Sequence, residues 1–175
     1  VRTHDAGPRA ALACGILILV SACDPRPDAP QCRTRAPAPE TERQANAGCV
    51  ILDQDHLLVL RHRFGGELGI PGGARHKGES AQCTAHRETW EETGLDVRVG
   101  RELGRLRYGY TLYRCYPDES LDHSTKPVLP WHARLETTGV EWMPLEALPR
   151  DQWRYREQVD AFLERVKRAR SREAQ

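Results

Sequence analysis

This chain carries little that would suit nucleic acid, zinc or a polytopic membrane protein. Its 26 basic residues are nearly cancelled by 25 acidic ones, which leaves a formal net charge of +1 over 175 residues. Non-specific binding to phosphate backbones needs a clear basic excess, so this balance gives no electrostatic footprint for nucleic acid. No Cys-x-x-Cys or Cys/His spacing suggests a zinc site. The apolar run Ala10–Val20 reaches only about 16 Å as a helix, against roughly 30 Å of hydrocarbon core. There is no internal repeat. With 39% hydrophobic and 29% charged residues, a chain of this length can bury one core and is not wholly disordered.

What is there divides into two parts. Six of the 12 prolines fall before residue 45. Arg2 and Arg9 precede the short apolar run, and Val20-Ser21-Ala22-Cys23 ends it. A basic start, a short apolar stretch and small residues at its end read as a secretory signal over residues 1–22. The four final residues resemble the lipobox of bacterial lipoproteins, which implies lipidation at Cys23 and an exported protein, periplasmic or on the cell surface, held to a membrane. An ordinary signal cut nearby, or a cytoplasmic protein with its start assigned too far upstream, are the alternatives. Residues 23–44 are rich in Pro, Ala and mixed charge without apolar period, and are expected to be a tether. Cys32, Cys49, Cys83 and Cys115 remain. In an oxidising compartment they allow three connectivities, and their spacing does not choose.

A folded domain is expected over residues 45–170, with a tail at 171–175. Cys49–Leu52 and Leu57–Leu60 read as strands around a turn, and Val97–Val99, Tyr110–Tyr116 and Gly139–Met143 as further strands. Ser80 is a plausible N-cap for a helix that Gly94 stops. From Asp151, Val159, Phe162, Leu163 and Val166 recur with helical period and mark a closing helix. Its basic end (Arg165, Lys167, Arg168, Arg170, Arg172) reads as a solvated helix terminus complementing the macrodipole.

The chemistry lies in GARHKGESAQCTAHRETWEETGL, Gly73 to Leu95. On a helix Glu88 stands i,i+3 from Glu91 and i,i+4 from Glu92, so three carboxylates crowd one edge. Like charges at that spacing destabilise a helix unless something positive sits among them, and hard oxygen donors suit Mg2+ or Mn2+. Arg87 lies i,i+4 from Glu91 and can reach Glu79 in the preceding loop, orienting carboxylates from behind. Arg61 and Arg63, past the second strand, are candidates for touching phosphate.

Gly73, Glu79, Arg87, Glu88, Glu91, Glu92 and Gly94 together closely resemble the box of the Nudix hydrolase family, and a looser likeness runs from about Ala45 to Arg168. The resemblance implies an α/β fold, a Nudix-type α/β/α sandwich with a mixed β-sheet, a loop-helix-loop and a C-terminal helix. It implies hydrolysis of a diphosphate linkage in a nucleoside-diphosphate-X substrate. The metal would be held by Glu88, Glu91, Glu92 and the carbonyl of Gly72, with Arg87 as orienter and Glu91 or Glu136 as base. Glu79, Gly73 and Gly94 would be structural. Two positions depart from the pattern. Thr89 replaces an aliphatic residue and is expected to weaken packing modestly. Leu68 stands where many members carry an aromatic residue, which puts base stacking from that position in doubt. The expected partners are a small diphosphate and, through Cys23, a membrane. The competing class is a non-catalytic nucleotide-binding sensor on the same fold.

Overall fold

The computed structural model describes residues 27–35, 44–118, 121–125 and 127–173. The expected signal segment and Cys23 lie outside these residues. Eight strands and two helices follow in order: β1 (Ala47–Val50), β2 (Leu52–Asp53), β3 (His56–His62), β4 (Leu68–Gly69), β5 (Gly72–Gly73), α1 (Ala81–Thr93), β6 (Val97–Arg105), β7 (Thr111–Pro117), β8 (Thr137–Pro144) and α2 (Val159–Glu173). They build two sheets. One runs β5-β1-β7-β6, with β1 parallel to β7 and the other pairs antiparallel. The other centres on β3, flanked by β2 and β4 on one edge and β8 on the other.

The alternation of side chains along the strands explains the layering. Leu57 and Val59 enter one apolar cluster with Phe162, Leu163 and Val166 of α2. Leu58 and Leu60 enter a second with Ala81 and Ala85 of α1. Successive strand residues point to opposite faces, so these strands are buried on both sides by helices, the α/β/α sandwich expected. Phe162 is 2% exposed and stacks on Trp153 at 5.2 Å.

Helix α1 begins and ends where its capping residues require. The Ser80 hydroxyl accepts a hydrogen bond from the Cys83 N–H at 3.2 Å, and Gly94 turns left-handed at φ 75° while its N–H donates to the Trp90 carbonyl. The core position Thr89 is fully buried, and its hydroxyl donates back to the Ala85 carbonyl at 2.7 Å. The polar atom is thereby satisfied within the helix.

Three expectations need correction. Residues 27–35 belong to the stretch read as a tether, yet they are docked on β6. The Arg35 N–H donates to the Val99 carbonyl and the Val99 N–H to the Arg33 carbonyl; Arg33 pairs with Asp96 at 2.8 Å and also with Asp118. Cys32 is joined to Cys83, and Cys49 to Cys115. Composition missed this because the segment is held by backbone pairing, ions and a covalent bond rather than by apolar burial. The closing helix starts at Val159, not Asp151. Trp153 is buried instead, and the Arg154 N–H donates to the Leu68 carbonyl at 2.9 Å, drawing this stretch into short turns beside the sheet. At its other end α2 continues to Glu173, past the expected limit of 170, because the Arg114 guanidinium donates to Glu173 at 2.9 Å. Along its basic end, Lys167 pairs with Glu146 and Arg168 with Glu164, in keeping with a solvated helix face.

Candidate active site

Arg87 is the centre around which the acidic residues assemble. Its Nε and Nη2 donate to the two oxygens of Glu79 at 3.0 Å. Nη1 donates to Glu88 and to Glu91, each at 2.9 Å, and Nη2 also reaches the Ala74 carbonyl at 2.8 Å. One planar cation thus gathers three carboxylates from a helix and the loop before it, a task suited to the fixed fork of arginine. Glu79 accepts further bonds from the His76 N–H and the Thr84 hydroxyl. Burial pushes Glu79 up, but the Arg87 and backbone bonds outweigh it and leave the carboxyl below its ordinary value.

Glu88 and Glu92 face the opposite situation. Burial raises Glu88 to about 7 despite Arg87, with the charges of Glu91 and Glu136 adding to the rise. Glu92 is 4% exposed. Its burial raises it to about 8, against the pull of the Gly72 N–H, and the charges of Glu88 and Glu136 push the same way. Glu136 enters from the turn before β8, so Glu88, Glu92 and Glu136 act on one another as a group.

Gly72 and Gly73 are needed where they stand. The Gly72 N–H donates to Glu92 at 2.7 Å, and with φ at 155° a Cβ there would lie 2.5 Å from Gly48 Cα. A Cβ on Gly73 would fall 2.5 Å from a Glu88 oxygen. The bare backbone lets β5 lie against both carboxylates.

Among the described residues no three His, Cys, Asp or Glu side chains form a ready metal cluster. Arg87 and the Gly72 N–H take up the carboxylate oxygens in this state. The donor set nevertheless fits a hard divalent cation: all candidate donors are oxygens, and two buried carboxyls titrate high for want of positive charge. Glu88, Glu91 and Glu92 are the residues that would hold it.

A cavity of about 370 Å3 opens beside this cluster, with Gly72 and Gly73 on its wall and Ile70, Trp153 and Phe162 among its apolar lining. His62 lies between the two, its Nδ1 3.9 Å from a Glu92 oxygen. Burial, with help from Arg154, lowers His62 to about 4, so it stays neutral, and Arg154 Nη1 donates to its Nδ1 at 3.3 Å.

The structure brings Arg87, Glu79, Glu88, Glu91, Glu92, Glu136, Gly72 and Gly73 together. It places Arg61 and Arg63 elsewhere. Arg61 donates to the Gly66 carbonyl at 2.9 Å and Arg63 to the Arg134 carbonyl at 2.7 Å. Neither lines the cavity. They close the β3–β4 hairpin against the segment before β8, a job invisible in the sequence. Leu68 is fully buried and stacks on nothing that enters. His62, Arg107, Tyr108, Arg154 and Tyr155, which do line the cavity, escaped sequence reasoning. The one signal available was an Arg-Tyr pair occurring at both 107–108 and 154–155.

Residues 42–163 match the family described as NUDIX domain. The chain belongs to the Nudix hydrolase family. Among its relatives is a "MutT-like protein" of Streptomyces ambofaciens, 26% identical over 113 residues, 62% of this chain and 68% of that one. Two further curated relatives are matched over only 58% and 14% of their own length. An ADP-ribose pyrophosphatase from Streptococcus suis superposes with a TM-score of 0.53 at 22% identity, over 68% of this chain and 88% of that one. A UDP-X diphosphatase gives 0.54 at 20% identity, over 71% and 62%. At such identities the likeness is one of Nudix fold.

Proposed function

We propose that this Nudix hydrolase cleaves a diphosphate linkage in a nucleoside-diphosphate-X substrate, by attack of water at phosphorus with Mg2+ or Mn2+ bound. The observation that carries the reading is the juxtaposition of the Arg87-organised carboxylates with a cavity sharing the Gly72–Gly73 wall. A divalent cation held there neutralises charge that develops on the phosphoryl oxygens. The chain's own residues do the rest. Arg87 keeps Glu88 and Glu91 in place, and Gly72 keeps Glu92 in place. Because Glu91 is already committed to Arg87, Glu136 is the better candidate to take the proton of the attacking water. The new P–O bond forms as the bridging P–O bond breaks, and two phosphorylated products leave.

The test is phosphate release, through an added phosphatase, from nucleotide sugars, dinucleotides, ADP-ribose, nucleoside triphosphates and prenyl diphosphates. Turnover that requires Mg2+ or Mn2+ and stops with chelator is expected. No turnover across the panel, with nucleotide binding intact, would replace this reading by that of a non-catalytic sensor.

We place the enzyme outside the cytoplasm, anchored through Cys23. The two disulfides support this address, since such bonds persist in oxidising compartments. Palmitate labelling of the chain expressed in bacteria is expected to vanish in Cys23→Ser; labelling that survives the substitution would sink the anchor.

A further inference from the structure

The cavity mouth carries a device that the carboxylate cluster does not explain. Two Arg-Tyr pairs line it, Arg107-Tyr108 from the turn between β6 and β7 and Arg154-Tyr155 from the turns before α2. The turns are stapled together by Gln158. Its side-chain oxygen accepts from the Arg107 N–H at 2.8 Å, and its N–H donates to the Tyr155 carbonyl at 2.9 Å.

Both tyrosines are costly to leave in water. Tyr108 is 88% exposed and Tyr155 52%. Tyr108 also holds a left-handed backbone at φ 59°, a conformation disfavoured for a bulky side chain and often kept where a site needs it. Each ring has the guanidinium of its neighbour over it, at 5.3 Å for Arg107 and 5.8 Å for Arg154. Neither arginine makes an ion pair with a carboxylate of the described residues. Arg154 stands on the side toward the acidic cluster, in contact with His62.

Resting on the proposed diphosphate chemistry, we infer that this cavity holds the nucleoside monophosphate portion of the substrate. Tyr108 and Tyr155 take the faces of the base, and Arg154 takes its phosphate on the way to the carboxylates. The apolar floor accepts a flat ring, and tyrosine faces stack on any base without reading its edge. The arginines give the cavity a positive rim at the end away from Glu88 and Glu92. The substrates are therefore base-bearing diphosphates such as nucleotide sugars and dinucleotides. Prenyl and other lipid-linked diphosphates, having no ring to stack, fall outside the specificity.

The experiment combines equilibrium binding of AMP and UMP to the full chain with hydrolysis of ADP-ribose, UDP-glucose and farnesyl diphosphate. It compares the wild type with Tyr108→Ala, Tyr155→Ala, Tyr108→Phe, Tyr155→Phe and Arg154→Ala. Each Tyr→Ala change is expected to weaken AMP binding and raise KM for the base-bearing substrates by roughly ten-fold, with kcat moving much less, and each Phe variant to restore both. Arg154→Ala should weaken AMP but leave adenosine binding unchanged. Farnesyl diphosphate turned over as well as ADP-ribose would overturn the inference. So would AMP affinity unmoved in both alanine variants. Absence of all turnover, with AMP binding lost in the alanine variants, would instead remove the diphosphatase reading and leave this site standing.

Discussion

Glu92→Gln is expected to abolish metal-dependent turnover, by at least about 10²–10³-fold, and to raise the melting temperature of the metal-free protein. The pairing of these two effects is the informative part. Glu92 is almost fully buried beside Glu88 and Glu136, and its carboxyl titrates near 8. At pH 9 the wild type therefore keeps an uncompensated charge inside the domain, at a cost of order several kcal/mol. Glutamine removes the charge while its amide oxygen still accepts from the Gly72 N–H, so β5 keeps its place. Some of the gain is lost because the new amide donors need partners, and a rise of several degrees in chelator is the expected balance. A carboxylate present for folding would show the reverse, a lower melting temperature with activity falling in proportion. Phosphate release and thermal melts on the same preparation separate the two.

Metal-free stability should also fall as pH rises, and Mg2+ should restore it only on the alkaline side. Glu88 and Glu92 titrate near 7 and 8 in the folded chain, against an ordinary 4.5. The folded state therefore binds more protons than the unfolded state across that interval, and stability declines as pH climbs through it. Below about 4.5 both states are protonated and the penalty is absent; above about 8 it is complete. Other groups run the opposite way. His62, held near 4 instead of 6.5, and His86, also lowered by burial, destabilise the fold as pH drops below 6.5. Glu79, depressed by its hydrogen bonds, gives stability above its ordinary value that is lost as pH falls further. The clean window is thus about 6.5 to 8, where only the two buried carboxyls titrate. Melts in chelator and in excess Mg2+ across this range test it. A flat profile in chelator, or an equal Mg2+ effect at pH 5 and pH 8, would show that the buried carboxyls do not bear the charge ascribed to them.

Much of the site was legible because it rests on one helix with both ends marked. Ser80 and Gly94 delimit α1, and once the helix is placed, the spacing of Glu88, Glu91 and Glu92 puts them on one edge with Arg87 behind. The two-layer core followed for a similar reason, since strands such as Leu57–Leu60 are apolar at every position and must be covered on both faces. Trp153 shows where periodicity misleads. The helical pattern that names Val159, Phe162 and Val166 extends naturally to Asp151, but burying one indole against Phe162 outweighs continuing the helix. Arg61 and Arg63 failed differently. A guanidinium near a hairpin end looks the same in sequence whether it meets a phosphate or a backbone carbonyl, and here carbonyls took both. The cavity rim was hidden because its residues come from two turns 47 positions apart (Tyr108 and Tyr155), joined only by Gln158.

The docked segment at 27–35 has a consequence for solubility. In its sheet β6 has β7 on one side only, and Val99 offers its remaining backbone groups to Arg33 and Arg35. A naked edge of this kind is a template for pairing with another chain. By occupying it with a covalently pinned piece of its own sequence, the protein keeps neighbouring copies from adding strands there. The region matched to the family begins at residue 42, so the boundary suggested by homology leaves this guard behind and yields a domain whose sheet is open to self-association.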